Sequence, residues 1–388
     1  MLKTGQAAGL PPFLAMDIAA EATRLQAARA PGAPRILRME VGQPGTPAPE
    51  GARRAAAAAL ARHPLGYTDA LGLMALRERI ASHYQDWYGV GVEPRRIVIT
   101  TGASGAFPLA FLAAFDRGDR VALAAPYYPP YVNILRALGL VPVILPAGAA
   151  ARYQPSVALL EQLDPPPAGL LIASPGNPAG TMLHPDEFRA IAAWCGQHAV
   201  RLISDEIYHG LHWDAPITTA AAIGGAVVIN SFSKYFSMTG WRVGWMVLPD
   251  DLLRPAECLA QNFFICAPHV SQVAAAAAFE CHAELRQNVA RYRHARDLLL
   301  RELPRAGFTT LAPPEGAFYI YADIADRTAD SLAYCQNLLR AHGIAATPGV
   351  DFDAVRGGSF MRLSYCGPPE DIEEAAHRLT TLHQRGAL

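Results

Sequence analysis

The sequence predicts an α/β protein: a large domain with a mostly parallel sheet covered by helices on both faces, and a smaller α+β domain. Short continuous apolar runs alternate with helical segments over residues 95–249, as in parallel sheets buried on both faces. From about Ser271 the pattern changes to long helices and then a mixed segment. A chain of 388 residues also exceeds what one simple core usually contains. We therefore predict a large domain over residues 46–290 and a small domain from residues 1–45 and 291–388.

The individual elements follow from their periodicity. Helical patterns cover residues 13–29, residues 52–63 and an amphipathic stretch that ends at Gly89. Six apolar runs then predict strands, in order RRIVITTG, DRVALAAP, GLLIASPGNPAG, VRLISDEIYHG, GAVVINSFSK and RVGWMVLP. Helices are predicted for AFPLAFLAAF after the first run, for HPDEFRAIAAWCGQH and for ELRQNVARYRHARDLLLREL. The later segments AFYIYADI and FMRLSYC are predicted strands.

Composition excludes several classes of function. The net charge is −1 and no basic run is present, which argues against nucleic acid or an acidic membrane surface as a partner. No apolar run approaches the ~20 residues of a membrane-spanning helix. The six cysteines are isolated, so neither a metal site nor a redox pair is predicted. Isolated thiols and an N-terminus without an apolar signal segment fit a cytoplasmic protein.

Polar residues follow the ends of successive predicted strands, where open parallel sheets bind their ligands. Taken singly, a helix cap, a tight turn or a solvated lysine would explain each of them. Their joint occurrence at one edge of a sheet indicates a binding site. The groups are Thr101-Gly102-Ala103-Ser104-Gly105, Pro126-Tyr127-Tyr128, Asn177-Pro178-Ala179-Gly180, Asp205-Glu206 with Tyr208, and Ser231-Phe232-Ser233-Lys234.

Pyridoxal 5′-phosphate is a cofactor that requires this whole set. Its aldehyde needs an amine, its pyridine nitrogen a carboxylate, and its ring oxygen amide or phenol donors. An aromatic side chain can stack on its ring, and hydroxyls, backbone N–H groups and an arginine can bind its phosphate. The glycine-rich turn contains neither G-K-[ST] nor G-x-G-x-x-G, so the nucleotide-binding fingerprints are missing.

Three motifs in the expected order carry a family resemblance. The segment SFSKYFSMTGWRVGW matches S-x-S-K-x-[FY]-x-M-x-G-x-R-x-G, SPGNPAG matches N-P-x-G, and SDEIY matches D-E-x-Y. From Gly42 to Arg362 the chain resembles the fold type I pyridoxal-phosphate enzymes of aminotransferase class I/II, in the aspartate/aromatic aminotransferase-like branch. The resemblance implies an enzyme that moves an amino group between an L-amino acid and a 2-oxo acid by a ping-pong mechanism.

The resemblance also implies roles for individual residues. Lys234 would form the Schiff base and move the substrate proton, Asp205 would pair with the pyridine nitrogen, and Tyr208 and Asn177 would contact the ring oxygen. Tyr128 would stack on the ring. The implied phosphate ligands are Ala103, Ser104, Ser231, Ser233 and Arg242.

Three further positions complete the implied site. Arg362 would bind the substrate α-carboxylate with two parallel hydrogen bonds, beside Gly42 and Asn177. Tyr67, in LGYTDALG, would reach the phosphate of a neighbouring subunit. The expected assembly is therefore a homodimer with shared active sites.

Alternative functions remain open from sequence. A C–S β-lyase would use the same lysine, aspartate and arginine, and a non-catalytic regulatory protein would bind the same cofactor. For substrate choice, Tyr127, Tyr128, Tyr131 and the early segment PPFLAM favour a neutral or aromatic side chain, and no second cation for a dicarboxylate can be assigned. His209 and His212 follow Tyr208, but ordinary loop histidines are the favoured interpretation.

Overall fold

A computed structural model describes residues 2–388 of the chain. The α-helices are α1 (Leu14–Ala27), α2 (Glu50–Arg62), α3 (Met74–Tyr88), α4 (Ala103–Ala114), α5 (Pro130–Ala137), α6 (Val157–Leu160), α7 (Pro185–Gln197), α8 (Asp250–Phe263), α9 (His269–Ala278), α10 (His282–Glu302), α11 (Ser331–His342) and α12 (Pro369–Gln384). The strands are β1 (Leu37–Arg38), β2 (Ile97–Thr100), β3 (Arg120–Ala124), β4 (Val141–Leu145), β5 (Gly169–Ala173), β6 (Arg201–Asp205), β7 (Val227–Ser231), β8 (Gly244–Val247), β9 (Tyr319–Asp323), β10 (Ile344–Ala345), β11 (Thr347–Pro348) and β12 (Phe360–Ser364). In the described part of the chain, no helix combines the length and apolar character needed to cross a membrane.

The central sheet has seven strands in the order β2-β8-β7-β6-β5-β3-β4. Four neighbouring pairs are parallel, and only the two pairs that include β8 are antiparallel. The predicted mostly parallel sheet is therefore confirmed. Because β2 and β7 each run opposite to β8, they run in the same direction, and their carboxyl ends lie at the same edge as those of β3, β5 and β6.

Helices cover both faces of this sheet, as predicted. On β6 and β7, Ile203 and Val227 pack with the cluster that contains Phe107 of α4. Their neighbours Leu202 and Val228 belong to the cluster on the other side, which contains Phe188 of α7. Alternate side chains of a strand point to opposite faces, so a strand that is apolar throughout has to be covered on both faces of the sheet.

Strand β4 and helix α4 differ from the sequence prediction. Strand β4 is absent from the predicted set, because it is the edge strand and its side chains Val141 and Ile144 are 46% and 40% exposed. Helix α4 begins at Ala103 rather than at Ala106, because Gly102 adopts a φ of +75° and turns the chain directly into the helix. Ser104 and Gly105 therefore lie in the first helical turn, where the backbone N–H groups lack partners within the helix.

A second group of strands is formed by the C-terminal part of the chain. Strands β11, β12 and β9 make an antiparallel sheet in which Arg362 pairs with Tyr321. The short strands β1 and β10 pair in parallel and connect the N-terminal part to this region. The boundaries at residues 46 and 290 stay a prediction.

Candidate active site

A pocket lies at the carboxyl edge of the central sheet and extends to β12. Eleven of the thirteen residues predicted from sequence line it. These are Gly42, Ala103, Ser104, Tyr128, Asn177, Asp205, Tyr208, Ser233, Lys234, Arg242 and Arg362. The strand order explains this convergence, because segments that are distant in sequence end side by side.

Lys234 follows β7 and is half-buried in the pocket. Its Nζ donates a hydrogen bond of 2.5 Å to the carbonyl oxygen of Gly42. Burial, together with the positive charges of Arg362 and Arg242, lowers the pKa of Lys234 to about 8, against opposing contributions from Cys366 and Asp205. The amine is therefore neutral over a larger part of the physiological pH range than an exposed lysine, as a nucleophile or base requires.

Asp205 ends β6 and is fully buried beneath the pocket. Its Oδ1 accepts a 3.0 Å bond from the backbone N–H of Ile207, and its Oδ2 accepts from the hydroxyl of Tyr131. Burial raises the pKa of Asp205 to about 6, although the Tyr131 bond works in the opposite direction. A buried carboxylate of this kind stabilises a cationic group placed against it.

Tyr208, Asn177 and Tyr128 supply the polar and aromatic walls. The hydroxyl of Tyr208 lies 2.7 Å from that of Tyr319. Asn177 accepts a 2.7 Å bond from Arg362 through Oδ1, which leaves its amide N–H groups as donors for a ligand. The Tyr128 ring is half-buried and packs edge-on against Tyr131, with the two centroids 5.3 Å apart.

The N-terminus of α4 and Arg242 form an anion cradle. The free N–H groups of Ala103 and Ser104 and the helix dipole both favour negative charge there. Arg242 donates a 2.8 Å bond to the carbonyl oxygen of Thr239. A Cβ at Gly102 would lie 2.7 Å from Nη2 of Arg242, so glycine lets the arginine approach the helix end.

The two hydroxyls assigned to this cradle differ in position. Ser233 lines the pocket, whereas Ser231 is buried behind it, with its Oγ 2.9 Å from that of Ser233. Ser231 also donates to the carbonyl oxygen of Val243, at 3.2 Å. Ser231 therefore acts on the pocket through Ser233 rather than by lining it.

Arg362 is a buried guanidinium on β12, only 2% exposed. It lies between the rings of Tyr319 and Phe352, at 4.4 and 4.7 Å from their centroids. Its donors reach Asn177, Thr347 and the carbonyl of Glu40, but its Nε has no protein partner among the described residues, and no carboxylate there lies within 4.0 Å. A buried cation without an anionic partner is costly, and an anionic group such as a carboxylate placed against Arg362 would reduce that cost.

The start of helix α1 covers the mouth of the pocket. Phe13, which directly precedes the helix, and Met16, in its first turn, both line the pocket. The carboxylate of Asp351 accepts bonds of 3.0 Å from the backbone N–H groups of Leu14 and Ala15, which satisfies the helix N-terminus. Asp351 directly precedes Phe352, one of the two rings that enclose Arg362. The cover and the carboxylate-binding group are thus attached to the same short segment.

Tyr67 does not reach the pocket of its own chain. It is 81% exposed and lines a shallow surface depression with Phe264, Cys266 and His269. Of the two loop histidines, His209 is buried outside the pocket, where it bonds to Tyr88 and to the carbonyl oxygen of Ser174. His212 does not line the pocket either.

Sequence reasoning missed the contacts of several pocket residues, among them Tyr131, Tyr319 and Glu40. Tyr131 was assigned only to the substrate side, although it supports Asp205, and the repeated tyrosines of PYYPPY were its one signal. Tyr319 begins the apolar strand β9 and resembles an ordinary core position, and Glu40 follows the short strand β1 outside any motif, yet both line the pocket. The side-chain partners of Tyr131 and Tyr319 are more than seventy residues away, so no local pattern could identify these contacts.

The comparison with known proteins identifies the family. Residues 34–379 match the family described as aminotransferase class I and II.

The chain belongs to this family.

Relatives and solved structures of aminotransferases align over nearly the whole chain. The valine–pyruvate aminotransferase of Mycobacterium tuberculosis is 52% identical over 96% of both chains, and the (5-formylfuran-3-yl)methyl phosphate transaminase of Methanocaldococcus jannaschii is 31% identical over 95% of both. The crystal structure of an aminotransferase from M. tuberculosis superposes with a TM-score of 0.96 at 50% identity, covering 99% of this chain and 100% of that one. The Thermus thermophilus aspartate aminotransferase with maleate gives 0.90 at 27% identity, covering 98% and 100%.

The protein is therefore a pyridoxal-phosphate-dependent aminotransferase of fold type I, and the predicted cofactor, fold and reaction are confirmed. These findings do not favour the lyase or the regulatory alternative. The residues present fit the cofactor: an amine of lowered pKa at Lys234, a buried carboxylate at Asp205 and an anion cradle at α4 lie around one pocket. Together they would provide one partner for the aldehyde, one for the ring nitrogen and one for the phosphate.

Proposed function

We propose that this aminotransferase transfers the amino group between a small neutral aliphatic L-amino acid, such as valine, and pyruvate. The observation that carries the proposal is the charge of the pocket. Within the described residues, its cationic lining consists of Lys234, Arg242 and Arg362. Each of these has a task in holding the cofactor or the α-carboxylate, so the described lining leaves no further cation for the side chain of a dicarboxylate.

The remaining wall of the pocket supports the same choice. Phe13, Met16, Tyr128 and Ile207 contribute apolar surface to it. A branched aliphatic side chain buried there gains roughly 0.8 kcal/mol for each CH₂ group, whereas an unpaired carboxylate would lose its hydration. The 52%-identical relative from M. tuberculosis is named valine–pyruvate aminotransferase, which agrees with this interpretation.

The catalytic assignments are part of the proposal. When bound, the cofactor supplies an aldehyde that accepts the amino group and a ring that withdraws electrons from Cα. Lys234 is the base that takes the Cα proton of the substrate and returns it to the cofactor side, aided by a pKa of about 8. Asp205 keeps the ring nitrogen protonated, and the buried bond from Tyr131 keeps its carboxylate in place.

The other groups bind and orient. Arg362 binds the α-carboxylate beside Gly42, and its position is fixed by the rings of Tyr319 and Phe352. Tyr208 and Asn177 donate to the ring oxygen, and Tyr128 stacks on the ring. The phosphate is held by Ala103, Ser104, Ser233 and Arg242, with Ser231 supporting Ser233.

We also propose a homodimer with shared sites. Ser104 and Arg242 are exposed, so one chain leaves the phosphate cradle open to one side. Tyr67 and the apolar segment Phe263, Phe264 and Ile265 are exposed as well, at 40 to 81%. A second copy that buries this surface could place its Tyr67 at the cradle. Light scattering should give twice the mass of the 41.6 kDa chain, and a mass of one chain would contradict the proposal.

The six free cysteines support a reducing location such as the cytoplasm.

The substrate proposal predicts a ranking of amino donors. With pyruvate as acceptor, kcat/KM for valine should exceed that for aspartate by about 10²-fold, because a desolvated carboxylate without a partner costs several kcal/mol. Initial rates with valine, alanine, phenylalanine and aspartate, each against pyruvate and 2-oxoglutarate, measure this ranking. If aspartate or glutamate is the preferred donor, the substrate proposal is wrong, although the assignment as an aminotransferase stands.

A further inference from the structure

Tyr319 connects three parts of the candidate site. It begins β9 and is 1% exposed. Its hydroxyl lies 2.7 Å from that of Tyr208, and its ring supports the guanidinium of Arg362 at 4.4 Å. A Cβ at Gly42 would lie only 1.7 Å from the Tyr319 hydroxyl oxygen, so the glycine is required for this tyrosine to fit.

The two tyrosine hydroxyls share a single hydrogen bond but have two hydrogens. Among the described residues, each has the other as its hydrogen-bond partner. If Tyr208 donated, the Tyr319 hydrogen would remain without an acceptor in a packed environment, and an unpaired buried donor is costly. If Tyr319 donates, the Tyr208 hydrogen is free to point at a ligand in the pocket that both residues line.

Packing favours the second arrangement. Tyr319 is enclosed on one side by the Gly42 backbone and on another by Arg362, so its hydroxyl has little freedom to turn elsewhere. Tyr208 follows β6 and is 6% exposed, compared with 1% for Tyr319. We therefore expect the hydroxyl of Tyr208, the more exposed of the two residues, to reach a ligand. A hydroxyl that accepts one hydrogen bond also donates a stronger one, because successive bonds polarise each other.

We propose that Tyr319 is a positioning residue, which donates its hydrogen bond to Tyr208 and thereby directs the Tyr208 hydrogen to the ring oxygen of the cofactor. This inference rests on the proposed contact between Tyr208 and that oxygen. Tyr319 acts through Tyr208 rather than on the reacting atoms. It also ties this donor to Arg362, since the same tyrosine carries the guanidinium on its ring.

The proposal predicts a change in how the bound cofactor titrates. Without Tyr319 as donor, the hydrogen bond from Tyr208 to the ring oxygen weakens, and that oxygen retains more negative charge. The Lys234 nitrogen that would be joined to the cofactor beside this oxygen then holds its proton more tightly. The pH midpoint of the absorbance change of the holoenzyme should therefore rise by about 0.3 to 0.7 unit in Tyr319→Phe. In Tyr208→Phe it should rise at least as much.

Three additional measurements make the test specific. In the double variant, Tyr319→Phe should add less than about 0.2 unit to the Tyr208→Phe shift, because its route of action is already removed. Tyr321→Phe is the matched control: Tyr321 is on the same strand and buried, but it packs on Phe360 outside the pocket, and its removal should leave the midpoint unchanged. The dissociation constant of the cofactor, measured by fluorescence, should increase severalfold in Tyr319→Phe and stay constant in Tyr321→Phe.

Each contrary outcome has a distinct meaning. An unchanged midpoint in Tyr319→Phe, with a clear shift in Tyr208→Phe, overturns the role of Tyr319 and leaves the Tyr208 assignment intact. Additive shifts in the double variant also overturn it, because Tyr319 would then act independently. If Tyr208→Phe itself shows no shift, the underlying contact with the cofactor is wrong as well.

Discussion

Replacing Lys234 with alanine should reduce transamination by at least about 10⁴-fold, because it removes both the attachment of the cofactor and the base for the Cα proton. The fold should persist. The Lys234 amine makes one hydrogen bond to the protein, to the Gly42 carbonyl, and its removal ends the cost of burying an amine. The melting temperature of the cofactor-free variant should therefore lie close to that of the unmodified protein.

The low lysine content allows the lysine that binds the cofactor to be identified directly. The chain contains only two lysines, Lys3 and Lys234, and Lys3 is exposed near the N-terminus. After borohydride reduction of the holoenzyme, mass spectrometry should find the cofactor on the peptide that contains Lys234. Lys3→Ala is the matched control and should retain both label and activity. Label on Lys3 alone, or substantial activity in Lys234→Ala, would refute the assignment.

Replacing Arg362 with lysine should lower kcat/KM for the amino donor by about 10²- to 10³-fold, mainly through a higher KM. The guanidinium offers two parallel donors to a carboxylate, and a hydrogen bond to a charged group contributes roughly 1.5–3 kcal/mol. A lysine ammonium keeps the charge but loses the paired geometry and the stacking between Tyr319 and Phe352. Cofactor content should change little, because Arg362 lies apart from the phosphate cradle.

Arg356→Lys provides the control for this change. Arg356 is a half-buried arginine in the same C-terminal region, where it bonds to Asp353 and to backbone carbonyls, but it does not line the pocket. Steady-state kinetics with the preferred donor should show a raised KM in Arg362→Lys only. Equal effects of the two substitutions would mean that the loss reflects packing, and an unchanged KM in Arg362→Lys would reject the carboxylate role.

The fold was predictable where burial is continuous. Strands such as Val227–Ser231 are apolar on both faces, so their sequences differ clearly from surface segments. The edge strand Val141–Leu145 has partly exposed side chains and a proline, and its pattern is correspondingly weak. The reversed direction of β8 also lay beyond the sequence, because an apolar run carries no information about which way it runs.

The candidate site divides in the same way. Lys234, Asp205 and Arg242 could be identified because their neighbours in sequence form specific motifs. Tyr319 and Tyr131 could not, because each acts on a side chain more than seventy residues away. Contacts of this kind, between side chains on distant segments, depend on tertiary packing, which local sequence does not encode.

The loop between β7 and β8 determines what can move during turnover. Ser231 and Gly244 are paired across these strands, so the loop that carries Lys234 and Arg242 is anchored at both ends to one sheet. The distance from amine to phosphate site is thereby constant. Arg362 belongs to a different sheet, so a displacement of that sheet would leave this distance unchanged. The cofactor can therefore stay bound through many cycles, while amino and oxo acids enter and leave on the side of Arg362.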